Sequence, residues 1–147
     1  MAAAKQLPTM VLGPSFWNDG RDVLVEDAPL VGEPTLVLYA FLVENENWVD
    51  GKTMLRRGKA KAKELGPLAG RHHAKSLLAE QKDEIPVEWR AFHLVFPGSK
   101  WQDESGRQWV AGLRWRWHPD EWEGFYYCLD NRKWSAADRL VHAVQVP

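Results

Sequence analysis

The chain has 147 residues, 45% of them apolar and 27% charged, with a formal net charge of −1. These values exclude a wholly disordered chain and one drawn to nucleic acid by its overall charge. The length suits a single domain with a sizeable core, and the lone cysteine, Cys128, excludes an intrachain disulfide and fits a reducing compartment.

Residues 1–15 do not read as a secretory signal, because Lys5 is a lone positive charge and Pro8, Gly13 and Pro14 break the apolar run. No stretch approaches the roughly 18 apolar residues that span a bilayer. A soluble, cytoplasmic chain with no membrane partner is expected. We read residues 1–147 as one domain, with 1–34 an irregular N-terminal arm and 35–147 an α+β core.

The arm contains Pro8, Pro14, Pro29 and Pro34, which exclude a long helix. Met10–Leu12 and Val23–Val25 are candidate edge strands, and Phe16 and Trp17 candidate anchors. Thr35–Val43 is β-branched and aromatic with apolar residues on both faces, which predicts a central strand covered on both sides. An acidic loop follows, with Glu44, Glu46 and Asp50.

Lys52–Lys63 is rich in Ala, Lys and Arg and predicts a helix. Gly66–Pro67 interrupts it, and a second helix is expected from Pro67 or Leu68 to about Gln81. Val87–Phe96 alternates and predicts a strand, ended by a turn at Pro97–Gly98. The segment from Lys100 to Val110 is the clearest hairpin: Asp103 and Gly106 are turn residues, and Gly106 in a left-handed conformation sets Trp101 opposite Trp109.

On the next strand, Gln108–Trp117, one face holds Trp109, Ala111, Leu113, Trp115 and Trp117, and the other Val110, Arg114 and Arg116. Phe125–Leu129 returns antiparallel. Ser135 is a candidate N-cap for a short C-terminal helix through about Val144. The expected fold class is therefore α+β: an antiparallel, Trp-rich sheet of four to six strands, with a helical pair and a short C-terminal helix packed on one face.

Charge is unevenly placed. Between residues 52 and 75 stand Lys52, Arg56, Arg57, Lys59, Lys61, Lys63, Arg71 and Lys75 against Glu64 alone, a local charge of +7 that leaves −8 elsewhere. Cations clustered without acids are what phosphate-backbone contact requires. The same charges can also be a solvated helix face answered by Glu44, Glu46 and Asp50.

Nine tryptophans are the second unusual feature. An outward Trp109–Trp115–Trp117 face would stack bases. An inward one would be core, the expectation we adopt because so much apolar area favours burial. Cys128, beside Tyr127, reads as a small buried hydrophobe with an unreactive thiol.

His72 and His73 are adjacent and diverge on a helix, and no four-ligand zinc pattern exists, so neither metal nor cofactor is expected. Phosphate-binding glycine loops and nucleophile elbows are absent. Three functions fit. The first is a non-enzymatic protein that contacts nucleic-acid phosphate through residues 52–75. The second is a protein-binding inhibitor or accessory factor, phage or bacterial, with a Trp/Arg-rich surface. The third is a small Mg²⁺-dependent nuclease that uses the acidic loop.

Overall fold

In the computed structural model, residues 22–145 are described. The expected strand at Met10–Leu12 and the anchors Phe16 and Trp17 lie outside them. Among the described residues eight strands form: β1 (Val23–Glu26), β2 (Thr35–Tyr39), β3 (Trp48–Val49), β4 (His93–Gln102), β5 (Gln108–Arg116), β6 (Glu121–Cys128), β7 (Trp134–Ser135) and β8 (Asp138–Val144). The helices are α1 (Gly51–Ala60), α2 (Ala62–Leu65) and α3 (Arg71–Glu80). The fold is thus mixed α and β.

The main sheet runs β2-β8-β4-β5-β6, and β1 pairs with the far half of β4. It is mixed rather than purely antiparallel, because β4 and β8 run parallel from His93↔Asp138 to Val95↔Leu140. β3 and β7 make a separate two-stranded pair.

The hairpin forms as its turn chemistry dictates. Asp103 Oδ1 accepts from the backbone N–H groups of Ser105 (2.9 Å) and Arg107 (3.0 Å), and Gly106 sits at φ +88°. Trp101 then pairs with Trp109.

Several expectations are corrected. Residues 138–144 are strand β8, not a helix: Leu140, Val141 and Ala143 are buried alternately on the two sheet faces, and β8 pairs with both β2 and β4. The strand in 35–43 is confined to Thr35–Tyr39 and lies at the sheet edge. Val87–Ala91 is a 3₁₀ turn rather than strand. Pro97–Gly98 does not end β4. It is absorbed as an irregularity between Phe96↔Ala111 and Lys100↔Val110, with Gly98 N–H donating to Ala69 O. The second helix begins at Arg71, beyond Gly70, whose N–H donates to His73 Nδ1 at 3.0 Å.

The helices do not share one face. Ala74, Leu77 and Leu78 of α3 pack on Leu94, Phe96, Ala111, Leu113 and Val141. Met54 of α1 packs on the opposite side with Val95, Val110, Tyr127, Trp134 and Leu140. Leu94–Phe96, Val110–Ala111 and Leu140–Val141 each supply both clusters in alternation, as the two-residue period of a strand requires.

Trp101, Trp122 and Trp134 are buried in these clusters. Trp109 and Trp115 are half-buried against the α3 side, whereas Trp117 is 63% exposed. The Trp face of β5 is therefore core at Trp109 and Trp115 and surface at its end. Cys128 is free and half-buried.

Gly112 fits under the Tyr127 ring, where an added methyl would meet Tyr127 Cε2, Tyr127 Cδ2 and the Leu94 carbonyl. Gly112→Ala is expected to destabilise the protein by about 1–3 kcal/mol through overpacking. A urea-denaturation midpoint equal to that of the parent chain would contradict this.

Candidate functional site

The basic segment divides when it folds. α1 covers one sheet face and α3 the other, so Arg71 and Lys75 do not extend a stripe begun on α1. Arg71 pins the N-terminal arm: its Nη2 lies 3.0 Å from Asp27 Oδ2, its backbone N–H donates to Ser99 Oγ, and Ser99 donates to Asp27 Oδ1 at 2.7 Å. Burial raises the Asp27 pKa, but the bonds from Arg71 and Ser99 outweigh it, and the net direction is down. Lys75 is half-buried on α3.

Two more cations are internally matched. Arg57 grips Glu46 with both Nη atoms, at 2.6 and 2.9 Å, and donates to Phe41 O. That bidentate pair, helped by the Val43 N–H, brings the Glu46 pKa down to about 2. Lys61 lies 3.2 Å from Glu64 and over the Tyr39 ring.

The remainder forms a coherent surface. Lys52, Arg56, Lys59 and Lys63 are exposed, and their spacings of four, three and four residues place them on one side of a helix. Lys61 stands at the α1–α2 junction with φ −82° and ψ −5°, its N–H donating to Arg57 O and Gly58 O. Lys59 has Glu26 at 3.7 Å. Lys52, Arg56 and Lys63 have no ion pair among the described residues. The acid near the start of the stripe is Asp50, which caps α1 by accepting from Thr53 N–H at 2.7 Å. Asp50 and Glu46 are thus both engaged in holding the loop and helix. Among the described residues, no three His, Cys, Asp or Glu side chains cluster as metal ligands.

A second surface arises where β5 outruns β4. There the 3₁₀ turn at 87–91 folds over the end of β5 and leaves an open cleft of about 470 Å³, lined by Arg90, His93, Arg114, Trp115, Trp117 and His118 among others. The Arg90 guanidinium lies 3.7 Å from the Trp115 ring centre, and Trp117 meets Trp115 edge-on at 6.0 Å. Arg114 and Arg116 share one carboxylate, Glu123, at 3.0 and 3.1 Å. Arg90 has no carboxylate partner among the described residues, and its Nε and Trp115 Nε1 are buried without a hydrogen-bond acceptor.

At the cleft wall, His93 Nδ1 lies 3.1 Å from Asp138 Oδ1, which also accepts from Arg132 Nη2 at 2.7 Å. Neighbouring strands bring these groups together, since His93 is in register with Asp138.

No protein-family model, curated protein or solved structure matches this chain. These two surfaces are the candidate sites among the described residues. The signal for the second was already present in the alternating Trp and Arg of residues 114–117. Strand alternation alone puts Arg114 and Arg116 behind the sheet from Trp115 and Trp117. At the strand end, where β4 no longer flanks β5, side chains from both faces border one cleft.

Proposed function

We propose that this chain is a non-enzymatic binding protein that contacts the phosphate backbone of nucleic acid through the α1–α2 face. The observation that carries the reading is the exposed line of Lys52, Arg56, Lys59 and Lys63, three of which form no ion pair among the described residues, Asp50 acting on Lys52 and Arg56 only through space. Of the eight cations in the segment, this reading retains those four for the ligand. It assigns Arg57, Lys61 and Arg71 to holding the fold, and leaves Lys75 on the far side of the sheet.

Four cations neutralise about four phosphates, which gives a slope of about −3 to −4 in log affinity against log salt. The reversal Arg56→Glu with Lys59→Glu and Lys63→Glu is expected to abolish the electrophoretic shift of DNA or RNA at low salt. The unfolding midpoint should stay put, because exposed charges contribute about 1 kcal/mol or less each. If the unmodified chain shifts neither single- nor double-stranded DNA or RNA at low salt, the nucleic-acid reading fails and the protein-binding alternative takes its place.

A further inference from the structure

We propose a second binding site, in the cleft at the end of β5, for a nucleotide unit: a flat heteroaromatic ring carrying a phosphate. It uses none of the residues of the α1–α2 stripe. The ring's seat is Trp117. Its indole is 63% exposed although the neighbouring Trp115 is tucked against the core. An exposed indole forgoes a large apolar burial and offers a face on which any base stacks.

The phosphate's seat is the group of cations around it. Arg90, Arg114 and Arg116 bring three guanidinium groups, and Glu123 answers Arg114 and Arg116 together with a single carboxylate. Glu121, opposite Arg116 in the β5–β6 ladder, is approached instead by Lys82, at 4.0 Å. The Arg90 guanidinium rests over the Trp115 ring at 3.7 Å, so its donor fork is placed before any ligand arrives. His118 completes the lining. Net positive charge, preordered guanidinium groups and an uncovered indole in one cleft match the two halves of a nucleotide: phosphate for the cations, base for the ring.

Such a unit arrives either as a free nucleotide or as one residue of a single strand, and titration calorimetry on the full chain separates the sources. The probes are adenosine 5′-monophosphate, adenosine, inorganic phosphate and a single-stranded oligo(dA). The nucleotide is expected to bind more tightly than adenosine or phosphate alone. Trp117→Ala is expected to weaken it about 5- to 150-fold, the range measured for losing one stacked base, with the unfolding midpoint retained. Arg90→Gln is expected to weaken the nucleotide but not adenosine. Binding of oligo(dA) without the mononucleotide, again weakened by Trp117→Ala, assigns the site to single strands; the reverse pattern assigns it to free nucleotide. The α1–α2 charge reversal should leave mononucleotide affinity unchanged, so the two surfaces fail separately. No heat with either probe at millimolar concentration, or an affinity unmoved by Trp117→Ala, overturns the proposal.

Discussion

Asp138→Ala is expected to lower the unfolding free energy by about 3 kcal/mol. The Asp138 carboxylate is fully buried and accepts three hydrogen bonds. Arg132 Nη2 (2.7 Å) and His93 Nδ1 (3.1 Å) donate to Oδ1, and Ser135 N–H (2.9 Å) donates to Oδ2. Truncation leaves the part-buried Ser135 N–H without its partner and removes the counter-charge of a guanidinium stacked on Tyr127 and Trp134. The figure sits at the low end for a broken buried pair, because Arg132 is 30% exposed and regains some hydration.

The pH dependence follows from the same contacts. Burial alone raises the Asp138 pKa, yet the bonds from His93, Ser135 and Arg132 outweigh it and hold the folded value below the ordinary one. A carboxylate depressed in the folded state contributes stability above its unfolded pKa, about 3.9, and loses it as pH falls through the folded value. Denaturation at pH 7 and at about pH 3 should therefore show a smaller acid loss for Asp138→Asn than for the parent chain. Equal losses would mean that the carboxylate's charge is not what these contacts hold.

Trp101→Ala is expected to cost more, about 3–5 kcal/mol. Trp101 is 1% exposed, stands opposite both Leu24 of β1 and Trp109 of β5, and meets Tyr126 edge-on at 5.5 Å. Its removal empties the place where three strands meet. Trp117→Ala is the control, expected to change stability by about 0.5 kcal/mol or less because its ring is mostly in solvent. Urea denaturation should move the midpoint for the first variant and not for the second, with similar slopes. Two variants with matching midpoints would mean that the division of tryptophans between core and surface is wrong.

The contrast between those two tryptophans marks where sequence reading stopped. Both belong to alternating aromatic runs of sequence, and alternation assigns a face without saying how far along the run the strand and its cover extend. Trp117 is exposed because it lies beyond the stretch where β4 flanks β5, a matter of tertiary extent. The same limit applied to the cations. Their clustering in residues 52–75 was legible as charge, and the spacing of Arg56, Lys59 and Lys63 as one helical side. That Arg57 would fold back onto Glu46, and Arg71 onto Asp27, depended on loops that approach from 11 and 44 residues away.

What the sequence by itself determined is local. The Trp101–Trp109 hairpin follows from Asp103 and Gly106, whose side-chain bonds and left-handed backbone make the turn without help from elsewhere. The α1 helix follows from Asp50 as cap and an Ala/Lys/Arg-rich run. Only tertiary structure decided Asp138–Val144: its apolar residues suit a short helix or a strand covered on both faces. Its partners, β2 and β4, lie about a hundred and about forty-five residues earlier. A parallel pairing has no turn between its strands to announce it. The same distant pairing sets Asp138 beside His93, leaves β2 at the edge, and separates α1 from α3 across the sheet.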